Sequence, residues 1–286
     1  MVSRREIVGA VLKPDLLDAA RSGTSMRFGV PADPPDIDGY VELVGDSGFP
    51  EPALRLPSQA RQVWLDSYLE HVVTRDVRSA GQVLDPVRLR RYLEVLALST
   101  AGLPADATLS QTAGVDRRTV QAYEHLPSSL FLLDLVTSWS SNRLSRLVQR
   151  PKRYLTDSAI AVSAARLAPI DILSDGDLLG RLLDTFVVAQ LRPEVALLQP
   201  PSRLHHLRTE VGRQEIDLLI DLGGGRVVAV EVKASSAPTA RDARHLSWLR
   251  GELGEAFVRG LLFHTGPQAF QLGERVWALP IAALWG

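Results

Sequence analysis

The stretch EIDLLIDLGGGRVVAVEVKA, residues 215–234, decides the fold of the second half of this 286-residue chain. Two apolar runs flank three glycines, and this pattern predicts two β-strands, 215–222 and 226–234, joined by a tight turn. Further strands are predicted at 260–266 and 275–281, with a helix before them through RDARHLSWLRGEL and an amphipathic helix from about residue 176. This order of helices and strands predicts an α/β domain with a mixed sheet.

Three polar residues of this stretch are candidates for chemistry. Asp217 lies on the first strand, and Glu231 and Lys233 lie two positions apart on the second, so their side chains share one face. Two carboxylates beside a lysine suit a Mg²⁺-dependent phosphodiesterase, because carboxylates ligate Mg²⁺ and an ammonium group stabilises developing negative charge. The same alternation also fits an ordinary amphipathic strand whose Glu and Lys face solvent.

The lysine of this pattern stands out against the composition of the chain. Among 32 basic residues the lysines are Lys13, Lys152 and Lys233, and all others are arginine. A position that keeps lysine against such a bias is one where lysine chemistry can be required. This observation adds weight to the interpretation of Asp217, Glu231 and Lys233 as a nuclease-type centre.

The first half of the chain predicts helices. Frequent prolines predict a loop-rich entry segment over 1–57, and helices are predicted over 58–78 and from Asp85-Pro86 towards Gly102. The stretch TLSQTAGVDRRTVQAYEHL, residues 108–126, predicts a helix-turn-helix with its turn at Gly114 and the N-cap of its second helix at Asp116. The apolar run after it predicts a strand, and the whole pattern is typical of a winged helix-turn-helix.

Nucleic-acid binding would have to use local patches of charge, because the net charge of the chain is −1. Two arginines open the predicted recognition helix, and a basic run without acidic residues occupies 141–153. Both groups also fit solvated faces or a contact with a protein partner, since winged-helix modules serve as adaptors too. The candidate DNA contacts are Arg117, Arg118, Arg143, Arg146, Arg150, Lys152 and Arg153.

Several classes of protein are excluded by composition and motif. The chain has no cysteine, which removes disulfides, thiolate zinc sites and cysteine nucleophiles. No apolar run is long enough for a membrane span and the N-terminus lacks a signal peptide, so we expect a cytoplasmic protein without membrane partners. No Gly-Lys pair occurs, so a Walker A loop is absent and no ATP site of that kind is expected.

The chain resembles a known family over most of its length. The segments VELVGDSGFPEPAL, WLDSYLEHVVTRDVR, VDRRTVQAYEHL, QRPKRYLTDSAIA, LLGRLLDTFVVAQL, EIDLLIDLGGGRVVAVEVKAS and VWALP are similar to the domain of unknown function, family 4143, that follows the ATPase module of prokaryotic AAA-type ATPases. The resemblance implies a winged-helix region followed by a domain similar to PD-(D/E)xK nucleases. It also implies an AAA-type ATPase partner in cis or in trans, with the opening segment as a remnant of a linker.

The resemblance assigns residues to roles and also shows departures from the family pattern. The strand acid corresponds to Asp217 and the E-x-K motif to Glu231 and Lys233, with Mg²⁺ held by the two acids. A further acid on the helix falls on Asp184, where relatives carry glutamate. Gln190 replaces a common acid, and Thr156-Asp157-Ser158 departs from Asp-x-Gly. These departures weigh against catalysis more than against the fold.

The histidines are predicted to be structural. His205-His206 is interpreted as a surface or loop pair, because neighbours on a strand point to opposite faces. His245 is expected on a helix surface and His264 on a strand. None of these residues is a predicted site residue.

These inferences combine into one domain organisation and several hypotheses. The predicted units are the entry segment 1–57, a helical winged-helix domain 58–160 and a PD-(D/E)xK-like α/β domain 161–286. The favoured hypothesis is a DNA-associated regulatory or accessory module of an AAA-type ATPase system, compatible with an oligomer. The alternatives are a Mg²⁺-dependent endonuclease acting on DNA and, less favoured, a plain transcription factor whose α/β domain senses a ligand.

Overall fold

The structure, a computed structural model, describes residues 1–10, 16–22, 28–76, 85–140, 150–209 and 214–286. It confirms a mixed α/β protein with a helical N-terminal region and a sheet-rich C-terminal region. The chain forms two compact units. We call residues 1–2, 41–135 and 152–186 the helical unit, and residues 3–40, 136–151 and 187–286 the sheet unit.

Twelve α-helices and eight strands are present in the described ranges. The helices are α1 Arg4–Ile7, α2 Leu16–Ser22, α3 Ile37–Gly45, α4 Pro50–Leu54, α5 Ser58–His71, α6 Pro86–Leu98, α7 Asp106–Ala113, α8 Val120–Ser129, α9 Ser158–Ala165, α10 Pro169–Ser174, α11 Gly176–Leu197 and α12 Arg244–Leu253. The strands are β1 Leu133–Val136, β2 Lys152–Leu155, β3 Arg203–Arg208, β4 Glu215–Asp221, β5 Val227–Lys233, β6 Phe257–His264, β7 Phe270–Gly273 and β8 Val276–Pro280.

The helical unit follows its predicted start and stop signals closely. Asp85 caps α6, because its side chain accepts the backbone N–H of Val87 at 2.9 Å. Gly114 ends α7 in the left-handed conformation with φ of 67°, as the predicted turn requires. The predicted N-cap is wrong by three residues: Asp116 accepts the N–H of Arg118, which stabilises a turn, and α8 itself begins after Thr119.

The sheet unit is built on six strands in the order β3-β4-β5-β6-β8-β7. The first three strands pair antiparallel, β5 pairs parallel with β6 and β6 parallel with β8, and β7 closes the other edge antiparallel to β8. Helix α12 packs against β4, β5 and β6. Its Leu246 and Leu249 are buried in one apolar cluster with Leu219, Ala229 and Leu262 of these strands, and this burial holds the helix on the sheet.

All four predicted strands of the sheet unit are confirmed, and two further strands, β3 and β7, were not predicted. Both lie at the edges of the sheet. The sequence of β3, RLHHLR, alternates poorly, and β7 has four residues. Edge strands are short and tolerate polar residues, so their patterns are weak.

The division of the chain differs from the predicted domains 58–160 and 161–286. Residues 161–186 belong to the helical unit, and residues 3–40 belong to the sheet unit. The reason for the first difference is α9, whose residues 158–163 are buried and which packs on α5 and α6. None of the described helices has both the length and the apolar character needed to cross a bilayer.

Candidate functional site

The β4–β5 hairpin positions the three candidate residues of the sheet unit. The glycines 223–225 of its turn have φ angles of 82°, 62° and 79°, a left-handed conformation that residues with a Cβ atom rarely adopt. The strand pairing places Leu218 opposite Val230. Since the strands are antiparallel, Asp217 lies opposite Glu231 one step further on. The glycine turn therefore brings the two acids to the same level of the sheet.

The three side chains form a compact polar group at the end of β5. Lys233 Nζ lies 2.8 Å from Glu231 Oε2, and the side chain of Glu231 is 2% exposed while that of Lys233 is 36% exposed. Asp217 Oδ2 accepts the backbone N–H of Val232 at 3.1 Å. The structure thus brings Asp217, Glu231 and Lys233 together as predicted, with Glu231 buried and both Asp217 and Lys233 half-buried.

Helix α12 adds a histidine that was not predicted as a site residue. His245 Nδ1 donates to Gln214 Oε1 at 2.5 Å. Burial lowers the pKa of His245, and the positive charges of Arg244 and Lys233 lower it further. The lowered pKa favours the neutral imidazole of His245, which Gln214 orients by the hydrogen bond.

An aspartate of the loop before α12 also faces this group. Hydrogen bonds from the backbone and hydroxyl of Thr239 lower the pKa of Asp242, and the charge of Lys233 contributes further. Asp242 and His245 were missed because nothing in their local pattern marks them. A usable signal was the short connection between the E-x-K strand and the next helix, since such a helix must start near the end of that strand.

The predicted helix acid is engaged within the helical unit. Asp184 lies on α11 and is 6% exposed. Tyr154 donates its hydroxyl to Asp184 Oδ2 at 3.1 Å, and Lys152 Nζ lies 3.6 Å from the same oxygen. The charge of this buried carboxylate is therefore paired with the ammonium group of Lys152, and the phenol of Tyr154 adds a hydrogen bond to it.

The carboxylates of Asp217 and Glu231 are the candidate magnesium ligands of the sheet unit. Mg²⁺ prefers oxygen ligands in octahedral geometry, and Asp217 and Glu231 supply the right chemistry. However, Glu231 is buried against Lys233, and Asp184 is held by Lys152 and Tyr154. Across the ranges that the structure describes, no group of three or more His, Asp or Glu side chains could hold a metal ion.

The predicted DNA-contact residues fall into three groups. Arg117 and Arg118 are exposed in the turn that enters α8, and Arg150 is exposed as well. Arg143 and Arg146 lie outside the described residues. The remaining two, Lys152 and Arg153, are on β2 and are buried.

The burial of Lys152 and Arg153 corrects their predicted role as surface contacts. Arg153 Nε lies 2.5 Å from Glu124 and its Nη2 lies 2.8 Å from Asp106. Lys152 is 2% exposed and faces Asp184. The basic run was interpreted as one face, but strand β2 inserts its last two charges into the interior, where acidic partners compensate them.

The other departures from the family pattern have structural roles. Gln190 Oε1 accepts the backbone N–H of Arg4 at 2.6 Å. Asp157 caps α9 by accepting the N–H of Ala159, and it also accepts hydrogen bonds from Ser47 and Gly48. Burial raises the pKa of Asp157 against the opposing effect of these hydrogen bonds.

The interpretation of His205-His206 as a surface or loop pair is wrong. Both residues lie on β3 and are buried, at 7% and 1% exposure. His205 Nδ1 shares a hydrogen bond of 3.0 Å with Thr137 Oγ1, and His206 Nε2 donates to the carbonyl of Arg150 at 3.0 Å. The segment 137–139 pairs with the edge strand here, which is a tertiary contact that a local pattern does not reveal.

Comparison with known families gives two matches. Residues 37–171 match a family described as a domain of unknown function, DUF8612. No curated protein matches the chain. Residues 179–284 match a second family, also described as a domain of unknown function, DUF4143. This region holds all six strands of the large sheet with Asp217, Glu231 and Lys233, so the predicted resemblance to family 4143 is confirmed for the C-terminal part of the chain.

Proposed function

We propose that this chain is a DNA-associated accessory module of an AAA-type ATPase system, without a P-loop of its own, whose nuclease-like sheet unit serves binding and regulation. The observation that carries this proposal is the arrangement around α8. Helices α6 and α7 precede it, the left-handed Gly114 makes the turn, and the two-stranded sheet of β1 and β2 follows. A winged helix-turn-helix has this order of elements.

The charge at the start of α8 supports DNA as the partner. Arg117 and Arg118 are exposed in the turn before the helix. In a helix-turn-helix, residues at the start of the second helix contact bases and phosphates in the major groove. Arginine suits both contacts, since its guanidinium group donates two parallel hydrogen bonds.

DNA binding by the purified chain tests this proposal. We expect Arg117→Ala with Arg118→Ala to weaken duplex binding about tenfold and to reduce the slope of log affinity against log salt by about 1 to 2. Arg55→Ala is the matched control, because Arg55 is also an exposed arginine of the helical unit, with a side chain 77% exposed. Equal binding by the double variant and the control would contradict the proposed role of α8.

The ATPase partner rests on the resemblance to family 4143, in which this domain follows an AAA-type module. Co-purification of the tagged chain with an ATPase from its own cells, identified by mass spectrometry, tests this part. A stoichiometric ATPase partner is the expected result. Recovery of the chain alone, under conditions where it still binds DNA, would limit the proposal to a stand-alone DNA-binding protein.

The second candidate function is a Mg²⁺-dependent endonuclease, which the juxtaposition of Asp217, Glu231 and Lys233 favours. In this case Asp217 and Glu231 would ligate the metal, Lys233 would stabilise negative charge on the phosphate, and Asp184 would be an auxiliary acid. We favour binding over cleavage because Asp184 is buried beside the ammonium group of Lys152 and accepts a hydrogen bond from Tyr154 within the helical unit.

Cleavage assays separate the two candidates. Labelled single-stranded, duplex and branched DNA are incubated with the chain and Mg²⁺ or Mn²⁺, beside Lys233→Ala and the matched control Arg226→Ala in the exposed hairpin turn. The binding proposal expects DNA retention without products for all three proteins. Metal-dependent products that disappear only in Lys233→Ala would establish the nuclease instead.

A further inference from the structure

An open groove of about 760 Å³ lies on the helical unit and uses none of the residues discussed above as DNA or nuclease candidates. It is formed by α5, α6 and the segment that follows α9. Its volume falls in the range of small-molecule sites. The side chains that decide its chemistry are Gln62, Asp66, Glu70, His71, Arg90 and Arg166.

One side of the groove carries two carboxylates one helical turn apart on α5. Ser163 Oγ donates to Asp66 Oδ1 at 2.6 Å, and Gln62 Nε2 donates to the same oxygen at 3.0 Å. Glu70 Oε2 accepts from Arg90 Nη1 at 3.1 Å, and its side chain is 58% exposed. Both carboxylates are thus held in position by neighbours while they keep further lone pairs for a hydrogen-bond donor.

The other side of the groove carries Arg166 in a costly backbone conformation. Arg166 has φ of 53° and ends α9, where its N–H donates to the carbonyl of Ser163. Glycine is the residue that suits this left-handed position. Arg166 is exposed and forms no ion pair with any residue in the described part of the chain. Arg166 therefore lines the groove from a strained backbone position that glycine would suit better.

The charges of the groove select one class of ligand. Arg90 already has Glu70 as its partner. The remaining groups are the guanidinium group of Arg166 and the carboxylates of Asp66 and Glu70, with the imidazole of His71 beside them. A phosphorylated ligand would meet repulsion from two carboxylates, and an apolar ligand would leave charged groups desolvated without partners. A zwitterion satisfies both sides.

We infer that this groove binds a basic amino acid, with its α-carboxylate on Arg166 and its cationic side chain between Asp66 and Glu70. Arginine carboxylate pairs form two parallel hydrogen bonds, and a guanidinium or ammonium group of the ligand matches the two fixed acids. Such a site gives a DNA-associated protein a small-molecule input that is independent of the sheet unit.

Isothermal titration calorimetry of the full chain tests the inference with L-arginine as the probe. L-argininamide lacks the carboxylate and L-citrulline lacks the side-chain charge, so each removes one half of the predicted recognition. We expect L-arginine to bind, and both analogues to bind about tenfold more weakly or worse. Inorganic phosphate is expected to give no heat of binding.

The variant Arg166→Gly makes the test independent of folding. Glycine suits the left-handed position, so the melting temperature is expected to stay equal or rise while L-arginine affinity falls about tenfold or more. Glu70→Gln is expected to weaken L-arginine binding as well, and Arg55→Ala is the control that leaves it unchanged. Absence of L-arginine binding to the wild-type chain, unchanged affinity in Arg166→Gly, or equal binding of L-argininamide would each overturn the inference.

Discussion

Each unit contains one lysine–carboxylate pair, and the two pairs differ in how far the lysine is exposed to solvent. Lys152 and Asp184 are both buried, at 2% and 8% side-chain exposure, and their charged atoms are 3.6 Å apart. Lys233 and Glu231 are closer, at 2.8 Å, but the lysine is 36% exposed. In the first pair both charged groups are enclosed by the protein, whereas in the second pair the lysine is partly open to solvent.

The basic residue of both pairs is lysine, which is rare in this chain. Two of the three lysines, Lys152 and Lys233, pair with acids that the family resemblance assigns to a nuclease centre. Lysine retained against arginine bias is thus a signal for a paired ammonium group, and burial decides whether the pair is structural.

Removal of the buried lysine should have the largest effect. Lys152→Met leaves Asp184 buried without its cation, and we expect a loss of about 3 to 5 kcal/mol in the free energy of unfolding. Urea denaturation measures it. The double variant Lys152→Met with Asp184→Asn should recover much of this loss, because it removes the uncompensated charge.

The control for this measurement lies on α11, the helix that carries Asp184. Arg181 forms an exposed i,i+4 pair with Asp177 on α11. Arg181→Met should cost less than about 1 kcal/mol, as is usual for surface pairs. If Lys152→Met costs no more than Arg181→Met, the buried pair is not the stabilising element that its geometry indicates.

Replacement of lysine by arginine should lower the free energy of unfolding by different amounts in the two pairs, and by less than Lys152→Met does. Lys152→Arg adds atoms to a fully enclosed site, and we expect a cost of about 1 to 3 kcal/mol. Lys233→Arg projects into partly open space and should cost less than about 0.5 kcal/mol. Equal costs for the two substitutions, measured by chemical denaturation, would mean that burial does not distinguish the pairs.

The smallest expected effect is a loss of unfolding free energy at acidic pH. We expect this loss to come from buried histidines of the sheet unit. His264 is fully buried on β6, opposite Lys233 in the strand register, and burial lowers its pKa. Below the usual histidine pKa near 6.5 the unfolded chain binds a proton at this residue, while the folded chain does not. The free energy of unfolding therefore falls as the pH falls from 7 towards the lowered pKa. Burial lowers the pKa of His245 as well, with the same sign.

The variant His264→Asn tests this origin. Its side-chain oxygen can accept the N–H of Gly266, which His264 Nδ1 accepts at 3.0 Å. We expect the plot of unfolding free energy against pH to become flatter between pH 7 and 5 than for the wild type. The control variant is His125→Asn, because His125 is an exposed histidine of the helical unit. The slope of the same plot should be equal in this variant and in the wild type. An unaltered slope in His264→Asn would assign the acid sensitivity to other groups.

The sequence allowed most of the sheet unit and its site to be predicted, because local signals there are strong. The glycines 223–225 and the alternation of β5 specify the hairpin, and the hairpin forces Asp217 next to Glu231. Edge strand β3 was missed because its pairing with 137–139 is a long-range contact. His245 was missed for the same reason, since only the packing of α12 on the sheet brings it near Lys233.

The helical unit was harder to predict where charge was concerned. A charged run predicts exposure, yet Lys152 and Arg153 are buried because Asp184, Glu124 and Asp106 lie far away in sequence and near in space. Composition and spacing do not contain this information. The groove around Arg166 was not predicted either, since its left-handed backbone conformation is a product of how α9 ends.

The exposed glycine turn of the hairpin is a position where the chain can be divided into two fragments. Its residues 223–226 are exposed and connect two antiparallel strands. Exposed turns of this kind tolerate cleavage of the chain. Fragments 1–223 and 224–286 would carry Asp217 on one piece and Glu231 with Lys233 on the other, so a split-reporter assay on these two halves would signal assembly of the candidate site itself.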